Sequence, residues 1–164
     1  MTAYQIRFQT IQVMHMTATL TLADLTDRTG LDVLGHLERE VTIPVIDGLQ
    51  AQGDLIVVPH PNLGQVLLRY QPWREVPRTG IEVLRSAAGG NPHVLVADPG
   101  ACHWTTSVRD PIGLAVGALT TNGVAYLIHP EHGGTGIAPG SYVIRRQRER
   151  GDRADQKVSR LVAD

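Results

Sequence analysis

The side chains with the clearest chemical potential are three histidines and one glutamate in the second half of the chain. His93 opens a predicted strand, whereas His129, Glu131 and His132 directly follow another one. Imidazole and carboxylate groups that converge from neighbouring strands can bind a divalent metal such as zinc, iron or manganese. A turn whose histidines hydrogen-bond to backbone or water is the favoured interpretation of these residues. A metal site is the second hypothesis, and a metal-free catalytic histidine is the third.

A run of arginines near the C-terminal end forms a second candidate site. On a strand, Arg146, Arg148 and Arg150 share one face, and guanidinium groups at this spacing could bind successive phosphates. The same side chains could instead protect an edge strand from pairing with another chain. Acidic residues at positions 149, 152 and 155 lie close enough to neutralise much of the charge. Anion binding is thus one hypothesis, and an ion-paired edge strand is the favoured one.

The sequence predicts no catalytic nucleophile. Cys102 is the single cysteine, which excludes an internal disulfide, and its neighbour His103 would point to the opposite face of a strand. The chain has no Gly-x-Ser-x-Gly elbow, no phosphate-binding P-loop and no dinucleotide-binding fingerprint. Cys102 is therefore interpreted as a small buried apolar residue.

Short β-rich runs separated by glycine and proline turns must position these side chains. Repeated short strands without long helices predict a mainly β fold, either a compact barrel or a sandwich. Thr121-Asn122-Gly123 lies between two apolar runs and predicts a β-hairpin. The predicted strands cover residues 55–58, 65–70, 81–84, 93–97, 104–108, 114–119, 124–128 and 142–147.

Three segments follow from this pattern. Residues 1–45 are predicted to form an α/β arm with a strand at 4–13 and two short helices, the first capped by Thr21 and the second by Asp32. Residues 46–150 form the β domain. Residues 151–164 form a short helix or a tail, since Asp152 can begin a helix with an apolar stripe.

Composition restricts the class of protein. The 164 residues carry a formal net charge of −1, and 42% of them are hydrophobic, which is enough for a core. Residues 1–140 hold 8 basic and 12 acidic side chains, a net of −4, whereas residues 141–164 hold 7 and 4, a net of +3. No apolar run approaches the roughly 20 residues that span a bilayer, and the first residues do not resemble a signal peptide. We therefore expect a cytoplasmic protein with no membrane association.

Four ordered segments resemble a group of small, uncharacterised bacterial and phage-associated proteins. The resemblance covers about residues 50–150 and implies a cupin-like ligand arrangement, in which a glycine-rich HxH motif and a later HxEH motif bind a metal. This chain departs from the pattern at Asn91, where the first histidine of HxH would stand, and this leaves one ligand fewer. The matching segments are Gln52-Gly53-Asp54, Asn91-Pro92-His93, His129-Pro130-Glu131-His132 and the closing run from Pro139 to Glu149.

These observations favour a non-enzymatic binding or assembly module of a bacterial or phage system, with at most a partial metal site. The strand-like start of the arm could add to a neighbouring sheet, so a protein partner or self-association is expected. The first alternative is a cupin-like metalloenzyme that uses the histidines as ligands. The second is a nucleic-acid-binding protein that uses the C-terminal arginines. Nucleic acid is a less favoured partner than protein.

Overall fold

The structure, a computed structural model, describes residues 19–70, 72–85, 90–150 and 159–161. The predicted strand at 4–13 lies outside these residues. Within them the chain has one α-helix, α1 (Leu22–Thr29), and is otherwise mainly β, as the sequence predicts. The strands are β1 (Val45–Ile46), β2 (Gln50–Gln52), β3 (Leu55–Pro59), β4 (Leu67–Leu68), β5 (Arg74–Glu75), β6 (Ile81–Arg85), β7 (Pro92–Ala97), β8 (Cys102–Thr105), β9 (Val108–Arg109), β10 (Ala115–Thr121), β11 (Ala125–His129), β12 (Gly133–Ile137), β13 (Gly140–Arg146), β14 (Arg148–Arg150) and β15 (Ser159–Leu161).

Two large sheets carry most of these strands. One has five strands in the order β1-β12-β11-β7-β6, and the other has six in the order β2-β3-β13-β10-β8-β5. Both sheets contribute to one hydrophobic cluster, with Leu95 and Leu127 from the first and Trp104, Leu119 and Ile144 from the second. Among the described residues the sheets remain open at their end strands, so the barrel alternative is not found.

The Asn-Gly turn does not form the predicted hairpin. β10 pairs with β8 and β13, whereas β11 pairs with β7 and β12, so the connection crosses from one sheet to the other. The backbone N–H of Asn122 donates to the carbonyl oxygen of Ala101 at 2.9 Å, and the Thr121 hydroxyl donates to the same oxygen at 3.1 Å. The turn that precedes β8 therefore holds this connection, in place of the partner strand that a hairpin would supply.

The arm contains only the first of its two predicted helices. The Thr21 hydroxyl accepts from the backbone N–H of Asp24, whose carboxylate accepts from the N–H of Thr21, and Gly30 ends the helix at φ 69°. The second predicted helix, beginning at Asp32, is replaced by turns. There the backbone N–H of Leu34 donates to the carbonyl oxygen of Pro130, at 2.9 Å, which holds this part of the arm on the β domain.

Strand β12 has a glycine-rich sequence, with glycine at positions 133, 134 and 136. The arm packs directly against it: a Cβ on Gly134 would lie 2.7 Å from Cδ1 of Ile43, and one on Gly136 would lie 2.9 Å from Cγ2 of Val45. Glycine is therefore needed here because the arm occupies the space that side chains would fill. Leu22, Leu25, Val33 and Ile43 of the arm share a second apolar cluster with Val94, Val96, Tyr126 and Ile128 of the five-stranded sheet.

The C-terminal arginines do not lie on one continuous strand. β13 ends at Arg146, and the backbone N–H of Gln147 donates to the carbonyl oxygen of Asp54 at 2.8 Å, before β14 begins. β14 then pairs with β15. Residues 159–161, which belong to the predicted C-terminal helix, thus form a strand, and the rest of that predicted helix lies outside the described residues.

Gly117 gives a direct test of the packing between strands. A Cβ at this position would lie 2.3 Å from Cζ2 of the buried Trp104 and 2.5 Å from the carbonyl oxygen of Thr105. We expect Gly117→Ala to lower the free energy of unfolding by about 1–3 kcal/mol, measured by urea denaturation, because neither neighbour can move cheaply. Gly35→Ala, where a Cβ meets nothing within 4 Å, is the control. It should change the free energy of unfolding by less than about 1 kcal/mol. Equal effects would contradict this packing.

Candidate functional site

His93 lies on β7, buried between the two large sheets, with 1% of its surface exposed. Its Nε2 lies 2.8 Å from Oδ1 of Asp54, in the turn between β2 and β3. Its Nδ1 lies 3.2 Å from Oε1 of Gln52, on β2. These two hydrogen-bond partners of the ring come from the sheet opposite to its own.

The Gln52 amide determines which hydrogens the His93 ring carries. Its Nε2 donates to the carbonyl oxygens of Leu127 and Gly133, at 3.0 and 3.1 Å, so that its Oε1 must face His93. An amide oxygen and a carboxylate oxygen can only accept, so both ring nitrogens of His93 must donate. With Asp54 ionised, the ring is an imidazolium paired with the carboxylate of Asp54.

Two further histidines stack on His93. The ring centroids of His93 and His129 are 4.3 Å apart, and those of His129 and His132 are 4.6 Å apart, with interplanar angles of 32° and 21°. His129 is as deeply buried as His93, whereas His132 is exposed. We call these three residues the histidine stack. It runs from the space between the sheets to the surface.

The His129 ring is neutral in this arrangement. The backbone N–H of Glu131 donates to its Nδ1 at 3.2 Å, so that Nδ1 must accept and the ring proton must be on Nε2. Two imidazolium rings stacked this closely would repel each other, and a neutral His129 removes that repulsion. The sharp turn at Pro130 makes this contact, because it brings the N–H of Glu131 back toward the side chain two residues earlier.

At the surface, Asn91 and Glu131 contact each other. The side-chain amide of Asn91 donates to Oε1 of Glu131 at 2.8 Å. The residue that replaces the first histidine of the HxH pattern therefore holds the glutamate that was a predicted ligand. Glu131 itself is exposed.

The structure thus brings the predicted metal-binding histidines His93, His129 and His132 together, with Glu131 at the surface end of the stack. Within residues 19–70, 72–85 and 90–150, no group of three or more His, Cys, Asp or Glu side chains has the geometry of a metal site. Stacked rings direct their nitrogen lone pairs along similar planes rather than toward a common point. The metal hypothesis remains a prediction.

Sequence reasoning missed Asp54 and Gln52 as parts of the site. Both belong to the Gln52-Gly53-Asp54 segment, which contributes to the family resemblance but carries no predicted site residue. That segment lies about 40 residues from His93 along the chain, and no local periodicity connects the two. The available signal was that this segment accompanies the histidine motifs in the group of proteins that the chain resembles.

The predicted anion site of Arg146, Arg148 and Arg150 also remains a prediction. Arg146 is the last residue of β13 and is partly buried. Arg148 and Arg150 lie on β14, for which the structure describes only the backbone. The interruption at Gln147 separates Arg146 from the other two arginines.

A second surface feature lies on the outer face of the six-stranded sheet. A cleft of about 530 Å³ is lined by Leu68, Arg69, Tyr70, Trp73, His103 and Thr120, and we call it the aromatic cleft. Tyr70 is 90% exposed, whereas Trp73 is partly buried against an apolar cluster that includes Val66 and Val143. The close spacing of Tyr70 and Trp73 in a chain with few aromatic residues was the signal in the sequence, and it was not used.

The fold and this network define a mainly β domain in which buried polar side chains join two sheets. Residues 51–147 match the family described as a domain of unknown function, DUF8820, so the chain belongs to that family. The expected membership of an uncharacterised family is confirmed in this form, and both the histidine stack and the aromatic cleft lie within the matched residues. No curated protein and no solved structure matches the chain. Over the described residues, no helix has the length and apolar character needed to cross a bilayer.

Replacing Asp54 tests the buried pair. Asp54→Ala leaves the His93 imidazolium buried without its carboxylate, so we expect the free energy of unfolding to fall by about 3–5 kcal/mol in urea denaturation. Glu82→Ala, which removes the exposed pair between Glu82 and Arg85, should lower the free energy of unfolding far less. Nitrogen-15 NMR of the wild type should show His93 protonated at both ring nitrogens. A neutral ring, or equal costs for the two variants, would refute the assignment.

Cys102 should be unreactive in the folded protein. Burial raises the pKa of its thiol from 9.0 to about 12, so thiolate is scarce at neutral pH. We expect a disulfide reagent to label it quickly in urea and very slowly under native conditions. Because the folded state favours the protonated thiol, this group should also lower stability as the pH rises from about 9 toward 12. Native labelling as fast as that of the unfolded chain would rule out this burial.

Proposed function

We propose that this chain is a non-enzymatic binding module that binds its ligand in the aromatic cleft. The two large sheets share one core, and we take them to form a sandwich whose inner polar network keeps the scaffold rigid. The observation that carries this proposal is the exposure of Tyr70, which places an aromatic ring in water beside a second aromatic side chain. A ligand that covers exposed aromatic rings removes their apolar surface from water, and this favours binding.

The burial of the chemically reactive side chains supports binding rather than catalysis. Asp54 and His93 are buried and bond to each other, and His129 is enclosed in the stack. The Cys102 thiol is also buried. The exposed end of the stack presents His132 and Glu131, which is a small polar surface rather than a cleft. Self-association, a protein partner and a role for the C-terminal arginines remain predictions from the sequence.

A metal-binding protein is the second candidate, and the gathering of three histidines with Asp54 favours it. Metal binding would disrupt the existing hydrogen bonds of His93, because ligation requires this ring to lose a proton. The His129 ring would also have to bind the metal through Nε2, the nitrogen that carries its proton here. These costs make the metal site the weaker proposal.

Thermal stabilisation by a ligand panel tests both candidates. The panel contains nucleotides, monosaccharides, amino acids and the ions Zn²⁺, Mn²⁺ and Fe²⁺, and Tm is measured for the wild type and for Tyr70→Ala. We expect at least one organic class to raise the Tm of the wild type by several degrees, because ligands that bind only the folded state stabilise it, and not to do so in Tyr70→Ala. Leu49→Ala, which alters an exposed apolar residue elsewhere, should respond like the wild type.

Two results would overturn the binding proposal. The first is an absence of stabilisation by every organic class. The second is the same stabilisation in the wild type and in Tyr70→Ala. Stabilisation by a metal ion that disappears in His129→Ala, but persists in the matched variant His36→Ala, would establish the second candidate instead.

A further inference from the structure

The aromatic cleft combines two flat rings with a rigid support. Trp73 packs on the outer face of the six-stranded sheet, in the cluster that contains Val66, Ala118 and Val143, so its position is fixed by the domain. Tyr70 stands almost fully in solvent at the same cleft. Aromatic side chains placed in this way provide stacking surfaces for a planar ligand.

The charge of the cleft is positive. Its lining includes the exposed side chains of Arg69 and His103 and contains no aspartate or glutamate. Glu75 is the residue opposite His103 on the adjacent strand, but its carboxylate accepts from the backbone N–H of Gly100 at 2.6 Å. The described arginines that form ion pairs are Arg28, Arg85 and Arg145, so Arg69 is available for an anionic ligand.

Hydrogen-bond donors lie at the floor of the cleft. Thr120 on β10 and His103 on β8 are directly opposite each other, and both side chains are exposed. The backbone N–H of Arg69 donates to the carbonyl oxygen of Ser107 at 3.0 Å, which holds the segment that carries Arg69 and Tyr70 close to the sheet. The rings and the donors are therefore placed by the sheet and by one backbone hydrogen bond.

We infer that the aromatic cleft binds an aromatic base that carries a phosphate group. The base would stack on Tyr70 and Trp73, while the phosphate would accept hydrogen bonds from Arg69 and His103. The volume of about 530 Å³ lies within the usual range for small-ligand sites. This chemistry is shared by a free nucleotide and by one nucleotide of a single strand. The inference rests on the proposed function and specifies its ligand class.

A positive cleft without carboxylates argues against a neutral sugar. Sugar hydroxyls donate as well as accept hydrogen bonds, so a sugar site gains from acceptor side chains. In this lining the side-chain acceptors are the hydroxyls of Tyr70 and Thr120 and one nitrogen of a neutral His103 ring, and none of them is a carboxylate. Arg69 in particular can donate but cannot accept.

Ligand titration monitored by tryptophan fluorescence tests this inference. Trp73 lies in the cleft, whereas the second tryptophan, Trp104, is buried. The probes are AMP, adenosine, ribose 5-phosphate and a single-stranded octanucleotide. We expect AMP to bind at least about tenfold more tightly than either adenosine or ribose 5-phosphate, since each lacks one of the two recognised groups. Tighter binding of the octanucleotide than of AMP would identify a single strand as the source, and the reverse would identify a free nucleotide.

Variants assign the binding to the cleft. Tyr70→Ala should weaken AMP binding about tenfold or more, in line with the loss of one stacking surface. Arg69→Gln should weaken it and reduce its salt dependence, because one phosphate contact is lost. Arg78→Gln, which removes an exposed arginine outside the cleft, and Arg146→Ala should leave it unchanged.

Three outcomes would overturn the inference. If adenosine and AMP bind equally well, the phosphate is not recognised. If the ligand panel finds a sugar or an amino acid that depends on Tyr70 while AMP fails to bind, the ligand class is wrong but the binding module stands. If octanucleotide binding is lost in Arg146→Ala and kept in Tyr70→Ala, the arginine run and not the cleft binds nucleic acid.

Discussion

The buried ion pair between Asp54 and His93 is the interaction on which the rest of the structure depends. It joins the β2–β3 turn of one sheet to β7 of the other, beside the hydrophobic core that the two sheets share. A charge in such a place is strongly unfavourable unless it is paired and hydrogen-bonded, so the two sheets can approach only in a register that satisfies both groups. Gln52 adds to this constraint, because its amide contacts His93 and two backbone carbonyls of the five-stranded sheet at once.

The same turn also anchors the end of the β domain. The carbonyl oxygen of Asp54 accepts from the backbone N–H of Gln147, and the Gln147 side chain donates to the carbonyl oxygens of Gly53 and Leu55. These bonds explain why β13 stops at Arg146 although the sequence continues to alternate. Next to the turn, Gln50 reaches the opposite sheet as well, where it contacts Thr135 and Gly136. Side-chain amides thus extend the polar layer that the ion pair begins.

The interior and the surface of the molecule have different roles. Inside, polar side chains bond from one large sheet to the other, and an apolar cluster holds the arm on the five-stranded sheet. Outside, the aromatic cleft keeps its rings and cationic groups accessible on a face whose strands are already held in place. In this cleft the packing of Trp73 lowers the entropy that binding would cost, whereas the exposed Tyr70 side chain still has freedom to lose.

Neighbouring residues were enough to predict the local elements. Apolar runs and turn residues identified the strands at 55–59, 81–85, 92–97 and 125–129, and the capping residues Thr21 and Asp24 identified α1. These features depend on neighbouring residues, which a single sequence displays directly.

The pairing of the strands and the contacts between distant side chains depended on tertiary packing. The Asn-Gly turn became a crossing between sheets, and the glycines of β12 formed a strand because the arm packs against them. His93, His129 and His132 were recognised early as residues that could act together, but their stacking and their link to Asp54 were not. The reason is physical: Asp54 and His93 are 39 positions apart, and contacts at such separations depend on how whole sheets pack, which leaves no periodic signal along the chain.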